Sequence, residues 1–418
     1  MPPIPRCDIA IIGAGVVGLA VAERLCADGH EVTVIDPNPP GDSARETAAS
    51  YGNAGTIADY AVLPVGTPDV LRNLPSLLFD RNSPLAIRRA ALPALMPWLI
   101  RFARQSLPAA AERNARNIAA LLTTATADWL DLGSRIGGGN ILKKHGCLYI
   151  YETGRAFRSA QDDMAFRRSV GVTVDLIDPS ALRQMEPHLP EVEGGAAFFP
   201  KAVFLDDPGR MVALLAAHVA SRARIIATHV EKLERQGDGV LLTGPGLCLK
   251  ARRVVIAAGA RSRKLAVMAG DRVPLDTERG YHVEWDMDTL PLSRPSCPTS
   301  RGFYLCPMSG RLRVAGTVEL GGLKAPPSPH RIAKLVEGAR EIFPDLPEPS
   351  REWMGFRPSM PDSVPVIGPS RRGSDILHAY GHGHIGLTLA PVTARLVAAV
   401  AAGRAPEIDL TPYLPNRF

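Results

Sequence analysis

Six cysteines are spread through 418 residues, with no C-x-x-C pair and no metal-ligand spacing among them. Cys7, Cys26, Cys147, Cys248, Cys297 and Cys306 thus fit reduced thiols in a cytosolic protein, and no metal site is expected from them. No uninterrupted apolar run reaches the ~18 residues that a spanning helix needs. The opening MPPIPRC leads straight into a strand and leaves no room for the parts of a secretory leader. These absences make a cytoplasmic chain the expectation. Nor is there a Lys/Arg block with interleaved aromatics, so nucleic acid is not an expected partner. Solenoid-spaced repeats and long low-complexity tracts are missing too. No Ser/His/Asp set or pair of carboxylates for hydrolytic work is evident.

What is present is ordinary in bulk. Hydrophobic residues make up 46% and charged residues 22%, as in soluble globular proteins. The length allows two or three domains, or one large interleaved fold. A net charge of +6 and a pI near 9.1, mostly from arginine, permit attraction to anionic substrates or lipid.

The most informative stretch is CDIAIIGAGVVGLAVAERLCADGHEVTVIDP, residues 7–37. An apolar run from Ile9 to Ile12 has the pattern of a buried parallel strand. Gly13, Gly15 and Gly18 then fit G-x-G-x-x-G where the strand gives way to an Ala/Val/Leu-rich helix. Gly13 permits the tight turn, Gly15 lets backbone approach a pyrophosphate, and Gly18 allows close helix–strand packing. The helix N-terminus offers unpaired N–H groups to the phosphates. A second strand ends in Asp36, 18 residues after Gly18, where a carboxylate can accept from a ribose diol. The motif predicts a dinucleotide and leaves FAD and NAD both open. The loop ETAASYGNAG, residues 46–55, could lay amides along a flavin or be a surface loop.

From about Val70 to Leu132 the pattern is helical with proline breaks. Residues 84–108 are basic and amphipathic, with Arg88, Arg89, Arg101 and Arg104 beside Leu, Ile, Met and Trp98. That pattern suits a helical cap, with Pro93 and Pro97 expected to break a single helix. A membrane-surface helix is the other reading, and it leaves open peripheral contact with the inner face of the cell membrane. Residues 145–151 and 172–177 read as strands, and Asp178 as an N-cap. RRVVIAAGARS, residues 252–262, is a second strand-to-turn where the chain could cross a nucleotide. Strands are expected at RGYHVEW, GFYLCP and LRVAGTVEL, with one face available for a substrate. The architecture that follows is interleaved: 1–57, 205–272 and 355–418 form a cofactor domain, and 58–204 and 273–354 a substrate domain.

With IIGAGVVGLAVAERL, ETAASYGNAG, VVIAAGARS, GFRPSMPDSVPVIGP and YGHGHIGLTLAP in view, the chain resembles the D-amino-acid dehydrogenase and glycine oxidase group of FAD-dependent amine oxidoreductases. The resemblance spans essentially the whole chain. It implies an α/β fold: an FAD-binding Rossmann-like domain of the glutathione-reductase type, interleaved with a mixed-sheet α+β substrate domain. It implies noncovalent FAD, since no cysteine or histidine context for covalent attachment is recognisable. Hydride would pass from the substrate Cα to flavin N5, with electrons leaving to a quinone or another carrier, such as a carrier protein. Asp36 stands where the family more often has Glu, which shortens the reach to the ribose.

The resemblance also implies site residues. Arg357 takes the position of the carboxylate-binding arginine, with a bridge to Asp362 as its structural alternative. Tyr304 matches the strand tyrosine that shares the carboxylate, and Tyr281 and His282 lie on a strand that borders the pocket in relatives. Tyr51 and Asn53 would lie near the flavin. Further cofactor contacts are expected at Val16, Val17, Pro37, Ala49, Ser50, Ala54 and Gly55. Val230, Ala258 and Gly259 complete the nucleotide side. Gly383, His384, Ile385, Gly386 and Leu387 would meet the flavin mostly through backbone, where a helix N-terminus stabilises negative charge. His384 would face the substrate and His382 would be a packed neighbour. A small D-amino acid or a cyclic D-imino acid such as D-hydroxyproline is the expected substrate. The alternatives are an oxygen-using oxidase of glycine, sarcosine or another N-methyl amino acid, and an FAD-carrying electron-transfer subunit of a complex.

Overall fold

Residues Ile9 to Ile12 are apolar on both faces, and a strand of that kind is stable only when covered on both sides. A computed structural model, describing residues 3–39, 48–72, 83 and 85–418, puts it at the centre of an eight-stranded sheet. Strand Arg6–Ile12 runs parallel to Val32–Asp36 and to Leu247–Ile256, with Ile12 opposite Ile35 and Ile256. Arg224–Ala227 and Gly373–Tyr380 extend the parallel part. Lys232–Gln236, Gly239–Gly244 and Val366–Ser370 join antiparallel. Helices Val16–Ala27, Pro208–Ala220 and Gly386–Ala401 share one apolar core over this sheet. The stretch Gly383–Ala401, 19 residues with mean hydropathy 1.5, is long and apolar enough to cross a membrane. Its apolar face is instead packed inside the protein, against the N-terminal helix and sheet.

A nine-stranded sheet forms the second layer system. Its long strand Asp276–Asp286 pairs antiparallel with Arg311–Leu320 on one side and Arg351–Ser359 on the other. Beyond these come Phe303–Met308, Ser296–Pro298, Cys147–Tyr151, Gly195–Phe199 and Asp175–Ile177. Helix Pro329–Ile342 covers one face through Leu335, Ala339 and the inward residues of the long strands. The other face looks toward the first sheet. A small sheet of Thr56–Ile57, Val203–Leu205 and Leu142–Lys143 lies between. Strand Arg351–Ser359 crosses the expected boundary at residue 355, and it belongs wholly to the second sheet.

Two local expectations change. Leu92–Gln105 is one helix containing both Pro93 and Pro97. Pro93 falls in the first turn, where no intrahelical N–H partner exists to lose, so the ring is tolerated. Leu85–Ile87, within the stretch read as helical, is a short strand parallel to Arg311–Leu320. The expectations for 46–47, 73–82 and Pro84 fall outside the described residues.

Candidate active site

A single cavity of about 820 Å³ opens along the C-terminal ends of the parallel strands and continues to the face of the second sheet. This is where open α/β sheets bind ligands. At its first end, Gly13 has φ 114°, and a Cβ there would sit 2.4 Å from the Ala257 carbonyl oxygen. Only glycine fits that turn. Gly15 is different, because a Cβ would meet nothing nearer than Ser50 Oγ at 3.9 Å. The protein therefore leaves a hollow at Gly15 that faces the cavity. The Asp36 carboxylate accepts from the Ala14 and Asn38 amides, both at 2.8 Å, which fixes its direction beside the turn. Helix Val16–Ala27 has no side-chain cap; Ser50 Oγ accepts from the Val16 amide at 3.2 Å, and Val17 also borders the cavity.

Pro37, Val230, Ala258 and Gly259 line the same end. Ala49, Ser50, Tyr51, Asn53 and Ala54 line the middle. Arg313 pins this loop from below, donating to the Tyr51 carbonyl at 3.1 Å and the Asn53 carbonyl at 2.6 Å. Its Nε meets Glu284 at 2.6 Å, and both side chains are buried. Burial raises the Glu284 carboxyl, but Arg313, His282 and Arg311 outweigh it and hold the pKa at about 2.

Gly383, His384, Ile385, Gly386 and Leu387 form the opposite rim, as a turn leading into helix Gly386–Ala401. Trp129 Nε1 donates to the Leu387 carbonyl at 2.9 Å and Thr388 Oγ1 accepts from the Ala58 amide at 3.0 Å, tying the turn in place. These backbone groups, the hollow at Gly15 and the Asp36 carboxylate fit the pyrophosphate, ribose and flat ring of an FAD.

The far end is built from side chains. Arg357 lies across Gly280, where a Cβ would come within 2.5 Å of its guanidinium. Among the described residues it has no hydrogen-bond or ion-pair partner, and Asp362 pairs with Arg417 at 2.8 Å instead. Burial lowers its pKa, against the pull of Glu278 opposite it on the neighbouring strand. Glu278 is itself buried, which raises its pKa against Arg357 and Ser359. His384 opens onto the cavity, and burial with the nearby Arg357 charge pushes its pKa down to about 4. His382 is buried, shares a hydrogen bond with Thr393 at 3.0 Å, and is pushed down to about 3 by burial alone. Tyr304 lines the wall with its hydroxyl on that of Tyr149 at 3.1 Å.

Three expected contacts, Gly18, Gly55 and His282, lie off the cavity, and a fourth, Tyr281, borders it with its hydroxyl turned away. Gly18 lies under the turn, where a Cβ would strike the Gly13 oxygen at 2.0 Å, so its smallness serves packing. Gly55 has φ 80° and would strike the Leu205 oxygen at 2.4 Å, serving the seam rather than the ligand. Tyr281 borders the cavity, but its hydroxyl donates to Glu319 at 2.7 Å in the core under helix Pro329–Ile342. His282 is buried, stacked on Trp353 at 5.0 Å, with Nδ1 at 3.1 Å from the Gly52 carbonyl. Both follow the strand's period of two: Tyr281 shares the helix-covered face with Val283 and Trp285, and His282 takes the opposite face. Tyr149, Trp353 and Lys264 line the cavity and carried no signal as site residues in the sequence.

A family model described as FAD dependent oxidoreductase matches residues 8–400. The D-amino-acid oxidase of Bradyrhizobium diazoefficiens is 37% identical over 98% of each chain. D-amino acid dehydrogenase 2 of Mesorhizobium japonicum is 30% identical over 96% of this chain and 98% of its own. In fold, the chain is similar to glycine oxidase from Geobacillus kaustophilus, with a TM-score of 0.78 and 22% identity over 99% of both. L-proline dehydrogenase from P. horikoshii gives 0.73 and 19%, over 100% of this chain and 98% of that one.

Proposed function

This chain belongs to the FAD-dependent oxidoreductase family, and from that premise we propose that it oxidises a D-amino acid or a cyclic D-imino acid at Cα. It is an FAD enzyme with an α/β fold of that family. The observation that carries the substrate reading is Arg357, a guanidinium without a hydrogen-bond or ion-pair partner among the described residues, in the cavity that also holds the dinucleotide crevice. A bidentate guanidinium fixes a carboxylate in plane, and with it the direction of the Cα–H bond. Tyr304 borders the same group, and neutral His384 offers a hydrogen-bond partner without a second charge. FAD, held noncovalently, supplies the hydride acceptor at N5. The chain's own residues bind, orient and exclude water. The same reading keeps 1–57, 205–272 and 355–418 as the cofactor unit and 58–204 and 273–354 as the substrate unit, with strand Arg351–Ser359 given to the latter sheet.

Anaerobic bleaching of the bound flavin against D- and L-amino acids and cyclic imino acids, D-hydroxyproline included, tests this directly. Reduction by D-substrates is expected, and a flavin left oxidised by every amino acid sinks the reading. The name of the relative at 37% identity favours oxygen as a second possible acceptor beside a quinone or carrier protein. Reoxidation in air, timed against reoxidation by a soluble quinone, separates the two. Helix Leu92–Gln105 leaves Met96 and Ile100 exposed, each near half, beside Arg101 and Arg104. Peripheral membrane contact through that face belongs to the same proposal, and co-sedimentation with anionic vesicles tests it.

A further inference from the structure

Tyr149 is not among the family-implied residues, yet its ring stands in the cavity wall beside Tyr304. Strand Cys147–Tyr151 is paired on both sides, antiparallel to Gly195–Phe199 and parallel to Ser296–Pro298. Its main chain is thus committed to the ladders, and what Tyr149 presents to the cavity is its side chain. Three strands converge to make the contact: Cys297 lies opposite Tyr149 in register, and Ser296 lies opposite Leu305 next to Tyr304.

The ring is held on all sides. Tyr60 meets it edge-on at 5.5 Å and Phe199 at 5.0 Å, and the Arg167 guanidinium lies 5.6 Å from its centroid. Tyr60 donates its hydroxyl to Cys147 at 3.0 Å, and its oxygen also faces the Tyr304 hydroxyl. Arg167 is buried, bonded to the Tyr60 carbonyl and only weakly to Asp163 at 3.5 Å, so its charge bears on the Tyr149 ring. With the Tyr304 hydroxyl donating to Tyr149, the Tyr149 O–H proton has no acceptor among the described residues. A buried donor without an acceptor is costly, and a chain of two hydroxyls strengthens the terminal donor.

We propose that Tyr149 is a substrate-contacting hydroxyl that works as one unit with Tyr304: Tyr304 donates to Tyr149, and Tyr149 donates to the carboxylate held by Arg357. This rests on the reading of the substrate as an amino acid. Arg167 is a positioning residue that acts through the Tyr149 ring.

Tyr149→Phe keeps the ring and removes only the hydroxyl. In anaerobic stopped-flow reduction it should raise the half-saturating substrate concentration on the order of tenfold, with FAD retained and the limiting rate nearly unchanged. Tyr304→Phe should do the same, and the double variant should fall short of the product of the two, because either change breaks the same chain. Titration of the oxidised flavin's absorbance with pyruvate, a carboxylate that needs no turnover, should weaken by a similar factor. Effects within twofold of wild type in both measurements, or single effects that simply multiply, overturn the proposal. If no amino acid reduces the wild-type flavin, the substrate reading fails while the pyruvate titration still decides for or against Tyr149.

Discussion

Around Gly13, Gly15 and Gly259 the cavity is walled by main chain, whereas around Arg357, Tyr304, Tyr149 and His384 it is walled by side-chain tips. The first end is a steric construction: a carbonyl, a helix N-terminus and one carboxylate that we propose fix where a diphosphate and a ribose go. The second is an electrostatic one, where charge and hydroxyl direction decide what binds. A main-chain wall tolerates almost no change at its glycines but is indifferent to many neighbours. A side-chain wall should tolerate substitution structurally and answer with altered affinity. The cofactor end therefore governs whether a holoenzyme exists, and the other end governs what it acts on.

The sharpest way to break this comparison is at the turn. Gly13→Ala forces a Cβ against the Ala257 oxygen at a φ that alanine avoids, so no folded FAD-loaded protein is expected on purification. Gly15→Ala should fold and lose only FAD affinity, as flavin absorbance and thermal unfolding would show. If both behave alike, the glycines are not doing separate jobs.

Glu284→Gln comes next, because it strands Arg313 as an uncompensated buried cation beneath the Tyr51–Asn53 loop. A loss of about 3–5 kcal/mol by chemical denaturation is expected. The pH response carries the same sign. Glu284 has a depressed pKa, so its contribution is full above the usual carboxylate range and is lost as pH falls toward about 2. His282, pushed to about 3 by burial and Arg313, is protonated more readily in the unfolded chain. Its share is full above the usual histidine pKa and is lost as pH falls from there. Thermal stability should therefore decline from near pH 6.5 downward, more steeply below about 4.5.

Arg357→Ala should raise the substrate concentration for half-reduction by on the order of a hundredfold while FAD stays bound. Loss of FAD as the main result would make Arg357 a structural residue and erase the division between the two ends. His384→Gln should have the smallest effect, a few-fold change in preference among substrates. With its pKa near 4 the imidazole is neutral from pH 5 to 8, so the variant should leave the pH profile of flavin reduction unchanged across that range.

The same division explains what could be read from the chain. Gly13 and the strand–helix–strand around it are legible because backbone geometry restricts residue type locally. Arg357 was legible only through resemblance, since nothing in GFRPSMPD says that Asp362 will turn to Arg417. Tyr281 and Tyr304 look equivalent in sequence, yet Tyr281 falls in step with Val283 and Trp285 on the face under helix Pro329–Ile342, where Glu319 takes its hydroxyl. The acceptor comes from another strand and cannot be read from RGYHVEW alone. Tyr149 was hidden for a related reason: its hydroxyl acquires a direction only when its strand meets Ser296–Pro298 and Phe303–Met308 from much later in the chain.

The central strand Leu247–Ile256 is flanked by Arg6–Ile12 on one side and by Gly373–Tyr380 on the other. Helix Val16–Ala27 then packs on Gly386–Ala401, so the first and last thirds of the polypeptide close on each other. During synthesis the glycine turn is made long before helix Gly386–Ala401. Until then the early helix packs only on its own sheet and on helix Pro208–Ala220. A chain stopped before residue 383 should therefore keep its glycine turn and lose FAD affinity, which flavin retention on purification would measure.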